Sequence, residues 1–163
     1  MPDLIFSERT RRTLARAREE AVGLNHEYVS TEHMLLALLR DIEGVAAEVL
    51  KTFSVDARKT RQVVLRIVKK GTSALPNGTE LPYTSRGKKT LDLAMAQARE
   101  WDHSYVGAEH LLIGLLREKK GIGAQILANA GVTVDAARAH TLSILGEQPK
   151  HKSWRTTLKR IFS

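Results

Sequence analysis

His26-Glu27-Tyr28-Val29-Ser30-Thr31-Glu32-His33-Met34-Leu35-Leu36-Ala37-Leu38-Leu39-Arg40 is the stretch on which the fold turns. Ser30 or Thr31 opens a helix whose next residues are apolar on almost every face, which marks it as buried rather than amphipathic. A helix of about ten residues is marginal alone in water, so neighbouring helices must cover it. The stretch recurs 77 residues later as His103-Ser104-Tyr105-Val106-Gly107-Ala108-Glu109-His110-Leu111-Leu112-Ile113-Gly114-Leu115-Leu116-Arg117.

The same offset continues outward in both directions. Phe6-Ser7-Glu8-Arg9 lies over Tyr83-Thr84-Ser85-Arg86, Thr13-Leu14 over Thr90-Leu91, and Ala17 and Ala21 over Ala94 and Ala98. Gly44, Ala47, Leu50 and Val55 lie over Gly121, Ala124, Leu127 and Val132. Two copies of one supersecondary unit are the simplest reading. Within the first copy, Leu14, Ala17, Ala21 and Leu24 give a helix over about 8–24, with Ser7 as its N-cap and Thr84 in the matching place. Asn25-His26 and Asp102-His103 end these first helices, and Gly44 and Gly121 mark turns after the second. A short third helix follows over about 45–52 and a fourth over about 56–70. No stretch alternates with the period of a strand.

The expected fold is all-α, with two pseudo-symmetric four-helix repeats packed as a double bundle. Residues 1–147 would form the domain: repeat one over about 4–70, a linker at 71–82 rich in Gly, Pro, Ser and Asn, and repeat two over about 83–147. A basic tail at 148–163 completes the chain.

Charge and composition narrow the function. The formal charge is +8, but Lys150, Lys152, Arg155, Lys159 and Arg160 supply five of those charges in the last sixteen residues, which leaves +3 on the body. That asymmetry marks an interaction tail, and the basic residues lack a recognised reader fold, so no nucleic-acid partner is expected. In the tail, Trp154, Leu158, Ile161 and Phe162 recur at helical spacing among Lys152, Arg155, Lys159 and Arg160. Such a basic amphipathic helix suits an anionic membrane surface or a partner groove; folding back on the body and disorder are the alternatives. The first twelve residues lack the apolar core of a signal peptide, and the longest strongly apolar run is about six residues, so a cytoplasmic location is expected.

With no cysteine, disulfides and thiolate chemistry are excluded. Neither a Gly-x-x-x-x-Gly-Lys-Ser/Thr phosphate loop nor a Gly-x-Ser-x-Gly elbow occurs, so no enzyme is expected. Zinc on a helix needs ligands at i and i+4, and the residue four beyond His33 is Ala37. His33 and His110 therefore read as structural, and neither a metal nor a cofactor is expected. A hydroxyl N-cap with nearby cations at each first helix, Arg9, Arg11 and Arg12 or Arg86, Lys88 and Lys89, has the makings of an anion site. Glu32 and Glu109 fall in the first turn of each central helix, where they could equally serve only to complement the helix dipole.

Phe6-Ser7-Glu8-Arg9, the His26–His33 block with Leu35, Leu36, Leu38 and Leu39, and Gly44-x-Ala46-Ala47-x-x-Leu50, each with its second-copy counterpart, resemble the Clp N-terminal repeat, ClpC type. The resemblance spans about residues 4–147. It implies a non-catalytic double bundle that docks adaptors or substrate proteins for a Clp AAA+ unfoldase and its protease. Some members read phosphorylated arginine with one pocket per repeat. By position, Glu32 and Glu109 would then accept the guanidinium, and the helix starts Ser7-Glu8-Arg9 and Thr84-Ser85-Arg86 would meet the phosphate. Two departures weaken the second pocket: Ala108 stands where the family commonly has Thr, which removes a cap and hydrogen-bond partner, and Ser85 stands where proline is usual. The sequence ends at Ser163 without ATPase modules, so action in trans is expected. The competing reading is a structural or regulatory scaffold that lost the docking chemistry and is directed by its tail.

Overall fold

The computed structural model describes residues 4–146, so the sequence reading of the tail at 148–163 lies outside the described residues. Two chain segments of the same plan follow one another. The first holds β1 (Ile5–Phe6), α1 (Glu8–Gly23), α2 (Thr31–Arg40), α3 (Val45–Thr52) and α4 (Ala57–Ile67). The second holds α5 (Ser85–Glu100), β2 (Tyr105–Val106), α6 (Ala108–Glu118), α7 (Ile122–Asn129) and α8 (Val134–Leu145). Each helix of the second segment starts 77 residues after its counterpart.

Local chemistry explains the boundaries. Ser7 and Thr84 each accept an N–H three residues on, from Thr10 and Gly87, at 3.1 Å. Asp56 and Thr133 cap α4 and α8 in the same way. The first helices stop because Asn25 and Asp102 take left-handed conformations, φ 57 and 55, which short polar side chains tolerate better than most. The fourth helix is shorter than the sequence spacing implies: it ends at Ile67, and Val68 is extended. Lys69 and Gly71 instead turn back on the end of α1, where the Gly71 N–H donates to the Leu24 carbonyl at 2.8 Å. The turn glycines also differ between copies. Gly44 has φ +92, whereas Gly121 has an ordinary negative φ and the left-handed residue is Lys119. Gly121 is held to glycine by crowding, because a Cβ there would meet the Glu118 carboxylate and the Thr31 side chain at 2.6 Å.

The central helices α2 and α6 are buried along almost their whole length, as the apolar run predicts. They contribute Met34, Leu35, Leu36, Leu38, Leu111, Leu112, Ile113 and Leu115 to one core that runs through both repeats. A single core makes the two repeats one cooperative body and not two beads on a linker.

Strand pairing, which the sequence pattern does not show, occurs once. Ile5–Phe6 pairs in parallel with Tyr105–Val106, and an isolated parallel bridge joins Val29 to Tyr83. The residues are extended because they precede helix N-caps, which take β-region angles. These short pairs also fix how the repeats cross. The lead-in to α1 lies on repeat two, where Leu4 and Phe6 pack on Ala94, Ala98 and Val106, and the lead-in to α5 lies on repeat one.

Candidate functional site

The helix starts and the acids come together across the repeats, and this corrects the expectation of one self-contained pocket per repeat. Beside the start of α1, the Ser7 N–H donates to the Val106 carbonyl at 3.0 Å, and the Thr10 hydroxyl donates to the same oxygen at 2.8 Å. The chain leaves Val106 through Gly107 into the first turn of α6, which carries Glu109. Beside the start of α5, the Thr84 N–H donates to the Val29 carbonyl at 3.0 Å, and the Thr84 hydroxyl donates to Ser30 Oγ at 2.9 Å. Ser30 leads into the first turn of α2, which carries Glu32. Ser7-Glu8-Arg9 thus faces the segment of Glu109, and Thr84-Ser85-Arg86 faces that of Glu32. The physical reason is the parallel pairing of the extended lead-ins, which lays one repeat's first helix start beside the other repeat's central helix start.

Both acids are withdrawn from solvent, with Glu32 4% and Glu109 7% exposed. The Glu109 carboxylate folds over Gly107, into the space a Cβ would occupy, where repeat one has Ser30. Burial pushes the Glu109 carboxyl above its ordinary range, against its own backbone N–H and the pull of His103 and Arg9. An acid so placed has little water to lose to an incoming cation.

The cations at the helix starts are already engaged. Arg9 Nη1 donates to both Asp41 carboxylate oxygens, at 2.9 and 2.8 Å, and to the Glu43 carbonyl. Its counterpart Arg86 reaches Glu118 at 3.1 Å. Arg9 and Arg86 are therefore posts fixed beside the notches, and the N–H groups at the first helical positions are what the notches offer an anion. Glu8 and Ser85 are exposed, and Glu8 makes only a loose contact with Arg12 at 3.8 Å.

Ala108 proves to be a departure of another kind. The cap position is Gly107, and the matching Thr31 in repeat one does not cap α2. Its hydroxyl accepts the Gly123 N–H at 3.2 Å, so it caps α7 of the other repeat. What Ala108 lacks is an inter-repeat bond. Thr31→Val, which strands a buried N–H at the α7 start, is expected to cost about 1–2 kcal/mol in urea unfolding, whereas Ala108→Ser costs less than half of that.

Sequence reasoning missed the partners of His33 and His110. The Ser30 N–H donates to His33 Nδ1 at 2.9 Å, so the neutral ring carries its proton on Nε2 and donates to His26 Nδ1 at 2.8 Å; His26 Nε2–H then reaches the Lys69 carbonyl at 2.7 Å. Gly107, His110 and His103 repeat the first two links, both at 2.8 Å. His26 and His103 stack nearly parallel on Tyr28 and Tyr105. Both ring nitrogens of His33 and of His110 are spent on hydrogen bonds, and the described residues hold no cluster of three metal-ligating side chains. The available signal was a His-x6-His spacing present in both copies.

A duplicated four-helix module whose two notches each draw on both repeats is the class that fold and site define. The chain belongs to the Clp repeat (R) N-terminal domain family, whose model matches residues 5–107 and 83–160. It is 41% identical over 141 residues to the ATP-dependent Clp protease ATP-binding subunit ClpC of Staphylococcus saprophyticus, and 42% identical to that of Staphylococcus aureus. Those alignments take in 86% of this chain but 17% of the relatives' length. Among solved structures, the N-terminal domain of the chaperone ClpD from Arabidopsis thaliana matches with TM-score 0.68 and 25% identity, over 86% of this chain and 94% of that one. The Hsp104 N-terminal domain from Candida albicans shares the fold, with TM-score 0.70 at 19% identity over 88% and 93% of the two chains. Among the described residues no helix is long and apolar enough to cross a membrane.

Proposed function

We propose that this domain is a non-catalytic docking module of a Clp protease system, presenting substrates or adaptors to an AAA+ unfoldase, and that its two notches take phosphorylated arginine. The observation that carries the reading is the crosswise pairing of a buried carboxylate segment with a capped helix start, made twice by the same residues 77 positions apart. A phosphoguanidinium is a cation and an anion on one short group. It needs an acid and an anion hole close together, which is what Glu109 beside Ser7-Glu8-Arg9 and Glu32 beside Thr84-Ser85-Arg86 supply. Two such notches on one rigid core favour a partner marked at two places.

Calorimetry with free phosphoarginine tests this. Wild type should show two sites, and Glu32→Gln and Glu109→Gln should each remove one. The expected loss per site is more than about tenfold in affinity, because a charge-assisted bond is exchanged for a neutral one. No heat in wild type, or equal heats in all three proteins, defeats the phosphoarginine assignment. Recovery of neither unfoldase nor peptidase in a pull-down at mild salt defeats the docking role itself.

A further inference from the structure

Comparing the two repeats away from the notches exposes one change of chemistry. In repeat one, Glu20 of α1 is 9% exposed and accepts Arg61 of α4 through both oxygens, at 2.6 and 2.9 Å. Arg40 of α2 stands 3.7 Å from the same carboxylate and reaches Glu19 at 2.9 Å. The residue 77 positions after Glu20 is Gln97, and those after Arg40 and Arg61 are Arg117 and Arg138. The two arginines are therefore retained, while the buried carboxylate between them has become a neutral amide.

The consequences are visible around Gln97, which is 0% exposed. Its Oε1 accepts Arg138 Nε at 2.7 Å and Arg117 Nη1 at 3.5 Å, and its Nε2 is buried with no partner. Glu100, at the outer edge, reaches Arg117 at 3.3 Å and Arg138 at 3.5 Å, but its own side chain is half exposed. Burial and the neighbouring Arg117 push the Arg138 guanidinium down from its ordinary value. Between α5, α6 and α8 the surface opens into a cavity of about 620 Å³ lined by Lys89, Arg117, Lys119, Thr133, Asp135 and Arg138. The matching cavity of repeat one, beside Arg40 and Arg61, is about 270 Å³.

We infer that this basin in repeat two is a third anion site, taking the phosphate monoester of a peptide, with Arg117 and Arg138 as its paired guanidinium groups and Lys89 and Lys119 at its rim. The charge count favours a dianion: four cations face two acids, Asp135 and Glu100, leaving two positive charges to balance. Repeat one shows what the arginine pair holds when its oxyanion is built in. Arginine forks match phosphate and carboxylate alike, and the larger cavity with its lysine rim suits the bulkier, doubly charged group. The start of α8, capped by Thr133, adds N–H groups at the mouth. The site stands independently of the phosphoarginine reading, since it uses none of the notch residues.

Inorganic phosphate is the probe, titrated into the full chain at fixed ionic strength while the arginine Nε–H resonances are followed by NMR. Saturable shifts of Arg117 and Arg138 are expected, with acetate at matched ionic strength producing much smaller ones. Gln97→Glu restores the arrangement of repeat one, so it should fold, raise the Tm, and weaken phosphate binding by about tenfold or more. Lys89→Gln with Lys119→Gln should weaken it severalfold, while Glu32→Gln with Glu109→Gln should leave these shifts unchanged. The inference is overturned if Gln97→Glu binds phosphate as wild type does, if acetate matches phosphate, or if the shifts are confined to the starts of α1 and α5.

Discussion

Lowering the pH from 7 to 5 is expected to remove about 4 kcal/mol of unfolding free energy, most of it through His33 and His110. Burial, with the adjacent His26 or His103, depresses each ring from 6.5 to about 3. The folded state then binds fewer protons than the unfolded chain wherever the pH lies between those values. A depressed pKa contributes stability that is complete above about 6.5 and declines as the pH falls toward about 3. The slope is about 1.4 kcal/mol per pH unit for each fully buried ring, so two rings lose about 4 kcal/mol over the 1.5 units from 6.5 to 5. His140, also lowered by burial, adds a smaller contribution of the same sign. Glu109 acts in the opposite direction, because its raised pKa makes the folded state take up a proton earlier than the unfolded chain. Urea unfolding at half-unit pH steps measures the slope. His110→Gln keeps an acceptor for the Gly107 N–H and a donor toward His103, and should halve the slope while lowering stability at pH 7. A wild-type slope near zero between pH 6.5 and 5 would mean that the rings accept protons without leaving their places.

Much of this architecture could be read from the repeat. An offset that pairs apolar residues with apolar residues through both copies fixes the helices, because burial pattern and capping residues are local properties of sequence. The route by which the copies cross is another matter. Nothing in Phe6-Ser7 or Tyr83-Thr84 says that each will lie against the other repeat; that follows from one shared core and from backbone bonds such as Ser7 to Val106, which carry no side-chain signature. The residue identities of the notches were accessible from position in the family pattern, but their partnership was not. Thr31 illustrates the same limit. Next to an N-cap it reads as part of the cap, yet its hydroxyl serves a helix 92 residues away. The histidine pairs were open to inspection, since the seven-residue spacing recurs, but a His at the third helical position that accepts from the N-cap N–H has to be seen folded.

The second large effect is expected at Gly114, where α6 presses hardest on α5. A Cβ at this position would stand 2.5 Å from the Thr90 carbonyl oxygen and 2.7 Å from the Ala94 nitrogen. Both are backbone atoms within a helix, so relief requires moving α5 as a body. Helix propensity pulls the other way, since alanine gains about 1 kcal/mol over glycine in a helix interior. Close-packed interiors charge about 1–3 kcal/mol for a forced methylene, more where no side chain can yield. Gly114→Ala should therefore lose about 1–2 kcal/mol net, and Gly114→Val, with two further carbons and a stiff χ1, about 4 kcal/mol. Repeat one carries Ala37 at the equivalent place, fully buried between α2 and its neighbours. There the reverse change, Ala37→Gly, should cost about 1 kcal/mol through propensity and lost packing. The two repeats thus answer the same pair of residues with losses in both directions, because each has set its helix spacing to the residue it holds. Thermal or urea unfolding of Gly114→Ala at or above wild-type stability would show instead that α5 can shift outward at no cost. In that event the α5 start would no longer be held rigidly against Val29 and Ser30, and the notch it forms with the Glu32 segment would lose the fixed geometry on which docking depends.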